Sequence, residues 1–251
     1  MKTMTYSLLA LAGWLLASGM LNLVRAQESG KATLPGTVAQ KALQYFAKTE
    51  QGDFEDFLKS IRPAGVSADR RVRLLASIKK EDIVSPSARR QAKLDALRPI
   101  LAYHDRAGIE VKILRLGLAW AGFLEGAAIV VSEEAVDILT AEELQAVVAH
   151  ELGHEYFATE YEPARNNKEY DKVKEVELRC DALAIITMKS LGLNPSTLLS
   201  GISALTKFNE GRGVRNNPDL VTSLNERLRF CQAITKLVEI RFANPRETAS
   251  K

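Results

Sequence analysis

The pattern of apolar and polar residues divides the chain into a continuous apolar segment at its start and an amphipathic remainder. From Leu8 to Val24 the apolar run is broken only by small or polar residues. Between about positions 38 and 107, apolar residues recur at spacings of three and four among charged ones, which predicts several helices. Residues 109–131 instead hold three short apolar or alternating stretches separated by turn residues, which predicts strands.

The clearest helix prediction covers residues 140–157. Thr140 is followed three positions later by Glu143, the capping-box pattern that starts a helix. His150 and His154 lie four residues apart in this segment, so they share one face. Further helices are predicted from about 169 to 191, 196 to 208 and 219 to 242. The predicted fold class is therefore α+β, predominantly helical, with a small sheet packed on the 140–157 helix.

The segment His150-Glu151-Leu-Gly-His154 has the spacing H-E-x-x-H. On a helix, two imidazoles one turn apart can bind one zinc ion, and the glutamate stands beside the zinc-bound water. The alternative is a pair of hydrogen-bonded, inert histidines. Two features favour metal: the chain has only three histidines, and Gly153 lies inside the helix, where it weakens the helix and indicates a close neighbour. We predict one zinc ion per chain.

A third protein ligand is expected, because a catalytic zinc site has three protein ligands and one open position. Glu177 and Asp181 are four residues apart in an otherwise apolar part of the next helix. We predict Glu177 as the ligand and Asp181 as the acceptor of the outer N–H of a zinc-bound histidine. The alternative is a solvated cluster of charges.

The pair His150-Glu-Leu-Gly-His154 and Glu177-Leu-Arg-Cys-Asp181 resembles metallopeptidase family M48, the HtpX-like and CAAX-prenyl-protease-like gluzincins. The resemblance implies a zincin-like catalytic domain and peptide-bond hydrolysis with Glu151 as the general base. It also implies that residues 119–126 form an edge strand that binds an extended polypeptide substrate.

The chain departs from the family pattern at two places. The asparagine common in the edge strand is missing, and the histidine expected before the Glu226-Arg227 pair is replaced within Val221-Thr222-Ser223. Arg227 is therefore a candidate transition-state stabiliser, and Tyr156 and Tyr161 are alternatives. His104, the remaining histidine, is expected to be structural.

The first residues predict export. Lys2, the apolar run and Val24-Arg25-Ala26 are typical of a signal peptide, residues 1–26, cleaved after Ala26. The alternative is an uncleaved membrane anchor. In both cases the domain lies outside the cytoplasm, and with a cleaved signal peptide the protein is expected to be periplasmic or secreted. Residues 27–251 are then one peptidase domain: a helical part (27–107), a catalytic core (108–242) and a tail (243–251).

Composition and charge exclude other classes. The chain is 46% hydrophobic and 26% charged, and without Lys2 and Arg25 its 32 basic residues nearly balance 31 acidic ones. No basic segment stands out, so no nucleic-acid partner is expected. In an oxidising compartment, Cys180 and Cys231 predict one disulfide, with two buried thiols as the alternative.

The function expected from these features is a zinc-dependent metalloendopeptidase acting on extracytoplasmic proteins, including envelope or misfolded ones. The alternative is a chaperone-like or regulatory zinc-binding module that binds extended polypeptide with little turnover. An exposed polar loop is expected over residues 158–167, and the sequence leaves open whether it blocks the cleft.

Overall fold

The computed structural model describes residues 37–47, 54–214 and 222–243. The predicted signal peptide and the tail lie outside these residues. No helix within the described part of the chain is long and apolar enough to cross a membrane.

The helices follow the predicted order with some differences in length. They are α1 Val38–Ala47, α2 Phe54–Ser60, α3 Ala68–Ala76, α4 Ala88–Asp95, α5 Arg98–Tyr103, α6 Glu133–Ile138, α7 Ala141–Tyr156, α8 Ala158–Asn166, α9 Tyr170–Ser190, α10 Thr197–Gly211 and α11 Leu224–Ala243. The segment before Gly108 contains two helices, α4 and α5, because Pro99 stands in the first turn of α5, where its missing N–H is tolerated.

Four strands form one sheet in the order β1-β2-β4-β3. They are β1 Ile83–Val84, β2 Glu110–Leu114, β3 Ala121–Leu124 and β4 Ala128–Ser132. β2 and β4 are parallel, whereas β1 and β3 run antiparallel to their neighbours. The two-residue strand β1 was not predicted, since it is too short to show alternation.

The sheet is apolar on both faces. Ile129 and Val131 of β4 belong to the main core, which also contains most of α7 and α9. Val130 faces the opposite side with Leu114 and Trp120, where partly buried leucines of α3 cover them. The predicted α+β fold, mostly helical with a small sheet on the 140–157 helix, is confirmed.

The prediction of an exposed loop at residues 158–167 is wrong, because the segment forms the helix α8. Most of its residues are polar, but Tyr161 and Ala164, three residues apart, form a short apolar face that is buried. Pro163 lies inside the helix, which obscured the pattern further.

Candidate metal centre

The helix α7 begins as the sequence predicts and brings both motif histidines into the interior. Thr140 accepts a hydrogen bond from the Glu143 N–H, and the Glu143 carboxylate accepts one from the Thr140 N–H. His150 and His154 are 7% and 8% exposed, and their Nε2 atoms lie 3.3 Å apart. Two nitrogen atoms thus converge at one point.

Glu177 on α9 completes a group of three ligand atoms. Its Oε2 lies 3.4 Å from His150 Nε2, and its Oε1 lies 3.8 Å from His154 Nε2. Zinc–ligand distances of about 2.0–2.1 Å with tetrahedral angles require ligand atoms about 3.3–3.4 Å apart. His150, His154 and Glu177 are therefore spaced to bind one zinc ion, and two imidazoles with one carboxylate are a donor set that catalytic zinc sites use.

The Glu151 carboxylate lies beside this group and is 4% exposed. Its Oε2 is buried without a hydrogen-bond partner among the described residues. Burial raises the pKa of Glu151 to about 8, and nearby Glu177 adds to the shift. A buried, unpaired carboxylate oxygen is costly for the fold, so its presence next to three ligand atoms indicates a functional group.

Asp181 contacts the ring nitrogen of His150 that points away from the other ligand atoms. Its Oδ1 lies 2.8 Å from His150 Nδ1, and its Oδ2 accepts a 2.8 Å hydrogen bond from Arg227 Nε. Arg227 Nη2 also donates to Oδ1. Burial opposes ionisation, but Arg227 and His150 hold the pKa of Asp181 below its ordinary value. Asp181 therefore stands where the sequence placed it, as the outer partner of His150.

Arg227, one of three candidate transition-state stabilisers, has its guanidinium buried against the Asp181 carboxylate. Asp181 in turn contacts His150. The sequence shows no local sign of this pair, because Arg227 and Asp181 lie on different helices, 46 positions apart.

The predicted disulfide is absent, since Cys180 and Cys231 are both buried free thiols. The Cys180 sulfur lies 3.5 Å from His154 Nδ1 on α7. A Cβ on Gly153 would stand 2.8 Å from the Cys180 Cα, so α7 and α9 touch at this point. The close neighbour that Gly153 predicted is therefore Cys180, which faces α7 and is not bonded to the cysteine of α11.

The two tyrosine alternatives lie in different places. The Tyr156 hydroxyl is 2.9 Å from His104 Nδ1, and His104 Nε2 is 2.9 Å from Thr187 Oγ1. His104 therefore belongs to a buried polar cluster with Tyr156 and Thr187 and is not among the three grouped ligand residues. The Tyr161 ring packs edge-on against His154, with centroids 5.0 Å apart.

Protonation of the two motif imidazoles is coupled, because their Nε2 atoms are so close. Burial lowers the pKa of His154 well below its ordinary value, and His150 and Arg227 lower it further. Burial also works against charging His150, but its contacts with Asp181 and Glu177 raise the pKa of His150 to about 10. The proton of this pair therefore resides on His150, which faces both carboxylates.

β3 lies at the edge of the sheet, as the family resemblance implies for residues 119–126. The backbone of Ala119, just before β3, is bound on both sides by the Asn209 side chain of α10. Asn209 Oδ1 accepts from the Ala119 N–H at 2.8 Å, and its Nδ2 donates to the Ala119 carbonyl at 2.9 Å. This contact joins residues 90 positions apart, so no local pattern in the sequence predicts it.

A family model described as Peptidase family M48 matches residues 112–158. Comparison with curated proteins gives no significant match. The matched segment runs from β2 to the start of α8 and contains the whole H-E-x-x-H motif, whereas Glu177 and Asp181 follow it. The predicted resemblance to family M48 is confirmed over this segment, and the resemblance implies a zinc metallopeptidase.

Proposed function

We propose that the protein is a zinc-dependent metalloendopeptidase that hydrolyses extended segments of extracytoplasmic polypeptides. The observation that carries the proposal is the convergence of His150, His154 and Glu177 with the unpaired Glu151 oxygen beside them. A purely structural zinc site has four closed ligands and no use for such a carboxylate.

The residues of the site have different roles in the proposed reaction. Bound zinc, held by His150, His154 and Glu177, would polarise the scissile carbonyl and lower the pKa of a water molecule. Glu151 accepts the proton of the attacking water and returns it to the leaving amine, since its free carboxylate oxygen lies within the site. Asp181 and Arg227 fix the orientation of the His150 ring from behind.

Tyr161 is the strongest of the three candidates for stabilising charge on the scissile carbonyl. Tyr161 packs against the ligand His154, and burial, then nearby Glu177, raises its pKa well above the ordinary value. Its hydroxyl therefore remains a hydrogen-bond donor at any working pH.

An extended polypeptide is the substrate that the position of β3 supports. An edge strand offers backbone N–H and C=O groups to an incoming strand, and β3 lies against the motif helix. Ala121 is fully buried, however, and the motif histidines are nearly so. Substrate access therefore requires a displacement, and α8 is the element whose Tyr161 lies against the ligand His154.

α8 covers the centre through Tyr161 and is joined to α9 by ion pairs. Glu160 of α8 accepts from Arg179 at 2.9 Å and pairs with Lys172 at 2.5 Å. Glu160 is partly exposed, but Arg179 is only 8% exposed, so the Glu160–Arg179 pair is partly shielded from water and helps to hold α8 on α9. Glu160→Gln is expected to free α8 and raise turnover if α8 limits access.

The proposed activity is tested with Glu151→Gln. The variant is expected to bind one zinc ion with the affinity of the parent and to lose proteolysis of unfolded casein by about 10²- to 10⁴-fold. Glu142→Gln, an exposed glutamate on the same helix, is the matched control and should retain full activity. A Glu151→Gln protein that cleaves casein like the parent would contradict the mechanism.

The burial of the centre is the observation that favours the second candidate, a zinc-containing module that binds extended polypeptide with little turnover. Under that function, zinc-loaded parent and Glu160→Gln proteins would both bind unfolded casein without cleaving it. Cleavage by Glu160→Gln but not by the parent would instead identify a peptidase closed by α8.

An extracytoplasmic location is part of the proposal and is supported by the apolar run and Val24-Arg25-Ala26. N-terminal sequencing of the protein from fractionated cells should give Gln27 as the first residue of periplasmic or secreted material. Recovery of Met1 in the membrane fraction would indicate an anchor instead.

A further inference from the structure

We propose that Cys180 is a positioning residue of the metal centre, whose sulfur accepts the Nδ1–H of His154 and so directs His154 Nε2 towards the metal. The inference rests on the proposed zinc site and adds a fixed outer partner for the second histidine. It assigns a role to a buried thiol that forms no disulfide.

The backbone packing of two helices creates this contact. A Cβ added to Gly153 would lie 2.8 Å from the Cys180 Cα, 2.9 Å from its Cβ and 3.1 Å from its sulfur. Only glycine leaves room for α9 to approach α7 so closely. The approach places the Cys180 sulfur 3.5 Å from His154 Nδ1, an ordinary N–H···S distance. Gly153 and Cys180 therefore together determine which group contacts the His154 ring.

The chemistry of imidazole gives the contact its consequence. A neutral histidine has one N–H and one unprotonated nitrogen, and the partner of one nitrogen decides which atom is free for a metal. His154 Nε2 faces His150 Nε2 and Glu177, whereas His154 Nδ1 faces Cys180. An acceptor at Nδ1 keeps the proton there and leaves Nε2 for the metal.

The two histidines are supported unequally. His150 Nδ1 faces the Asp181 carboxylate, which is paired with Arg227, but His154 Nδ1 faces a thiol sulfur. Sulfur is the weaker acceptor. Loss of an outer partner typically reduces metal affinity 10- to 100-fold, so loss of the Cys180 sulfur should lie near the lower end of this range.

Cys231 provides a matched control, because it is also a buried free thiol. Zinc affinity is measured by competition with a chromophoric chelator for the parent, Cys180→Ala, Cys180→Ser and Cys231→Ala. Cys180→Ala should bind zinc about tenfold more weakly, and Cys180→Ser, which retains an acceptor, should recover part of the loss. Cys231→Ala should bind like the parent even if it unfolds more easily.

Nuclear magnetic resonance separates positioning from packing. With only three histidines in the chain, selective ¹⁵N labelling gives three ring systems to assign. In zinc-loaded protein, the Nδ1 resonance of His154 should move in Cys180→Ala, whereas that of His104 should not. Equal zinc affinities and unchanged His154 signals in both alanine variants would assign Cys180 to packing alone.

The parent protein provides a test that no folding defect can obscure. Long-range ¹H–¹⁵N spectra of the zinc-loaded parent should show His154 protonated at Nδ1 and bound through Nε2. A His154 bound through Nδ1 would overturn the proposal for Cys180. If Glu177→Gln loses zinc but no form of the protein is proteolytic, the proposed metal centre stands. Only the proposed peptidase activity is then refuted.

Discussion

Arg227 on α11 donates hydrogen bonds to both carboxylate oxygens of Asp181 on α9, and this buried pair lies behind His150. Asp181 is fully buried and Arg227 is 6% exposed. The pair links the C-terminal helix to the metal centre. A residue 77 positions beyond His150 therefore helps to orient its ring through Asp181.

Replacement of Arg227 by methionine should destabilise the fold strongly. The change leaves the Asp181 carboxylate buried beside His150 without its counter-ion, and breaking a buried pair in this way costs about 3–5 kcal/mol. Urea unfolding of the metal-free proteins measures the loss. Arg229→Met, a change at an exposed position of the same helix, should cost less than about 0.5 kcal/mol. Equal stabilities of the two variants would mean that the pair contributes nothing.

Glu177 and Asp181 should differ in their effects on metal binding. Glu177→Gln removes a charged ligand atom and should abolish stoichiometric zinc binding. Asp181→Asn removes only the outer partner of His150, so it should reduce zinc affinity about 10- to 100-fold and keep one site per chain at high metal concentration. Metal analysis after dialysis, followed by chelator titration, distinguishes them. Full zinc binding by Glu177→Gln would show that the third ligand is another residue.

Gly153→Ala should destabilise the protein although alanine favours helices. The new Cβ would meet the Cys180 Cα at 2.8 Å, and such overpacking costs about 1–3 kcal/mol, which outweighs the roughly 1 kcal/mol gained in helix propensity. Because the clash involves the backbone of α9, Cys180→Ala should not rescue it. Gly211→Ala, where a Cβ has no neighbour within 4 Å, should be neutral or stabilising. Thermal unfolding of the three variants provides the comparison.

The metal centre could be predicted because each sequence pattern that indicates it lies within a single helix. The His150 and His154 spacing, the Thr140 capping box and the Glu177 to Asp181 spacing are each contained in one helix, where sequence distance fixes which side chains share a face. Even Gly153 signalled a close neighbour, though not its identity. The resemblance to family M48 and the fold class followed from these segments.

The remaining contacts of the site join distant segments and leave no local pattern. Arg227 with Asp181 and Asn209 with Ala119 depend on how helices pack in three dimensions. The disulfide prediction failed for the same reason, since two cysteines in a sequence show that a bond is chemically available but not that their side chains face each other. The α8 helix was missed because polar residues and Pro163 conceal its short apolar side.

Tyr161→Phe tests the residue proposed to stabilise charge on the scissile carbonyl. The ring can still pack on His154, so zinc affinity and stability should change little. Loss of one positioned donor typically lowers kcat by about 10²- to 10³-fold. Tyr156→Phe, which loses its contact with His104 instead, is the control and should retain kcat. A Tyr161→Phe enzyme with the parent's kcat and a raised KM would point to substrate binding.

His104 should make the stability of the fold depend on acidic pH. Its ring is buried between the Tyr156 and Thr187 hydroxyls. Burial, and then the positive charges of Arg62 and Arg106, lower the pKa of His104 to about 3. Above the ordinary pKa of about 6.5, the ring is neutral in both folded and unfolded chains and has no effect. Below pH 6.5, the His104 ring is protonated in the unfolded chain but stays neutral in the folded protein.

The resulting loss of stability is confined to the interval between these two pKa values. Within it, one additional proton bound by the unfolded state lowers the free energy of unfolding by up to about 1.4 kcal/mol per pH unit. His104→Gln keeps polar atoms between the two hydroxyls but cannot be protonated, so its stability should fall less steeply. Urea unfolding of metal-free parent and variant between pH 6 and pH 4 measures the difference in slope, since the other titrating groups are common to both. Parallel slopes would mean that His104 takes up its proton in the folded protein as readily as in the unfolded chain, and the polar cluster with Tyr156 and Thr187 would then have to accommodate a charged ring.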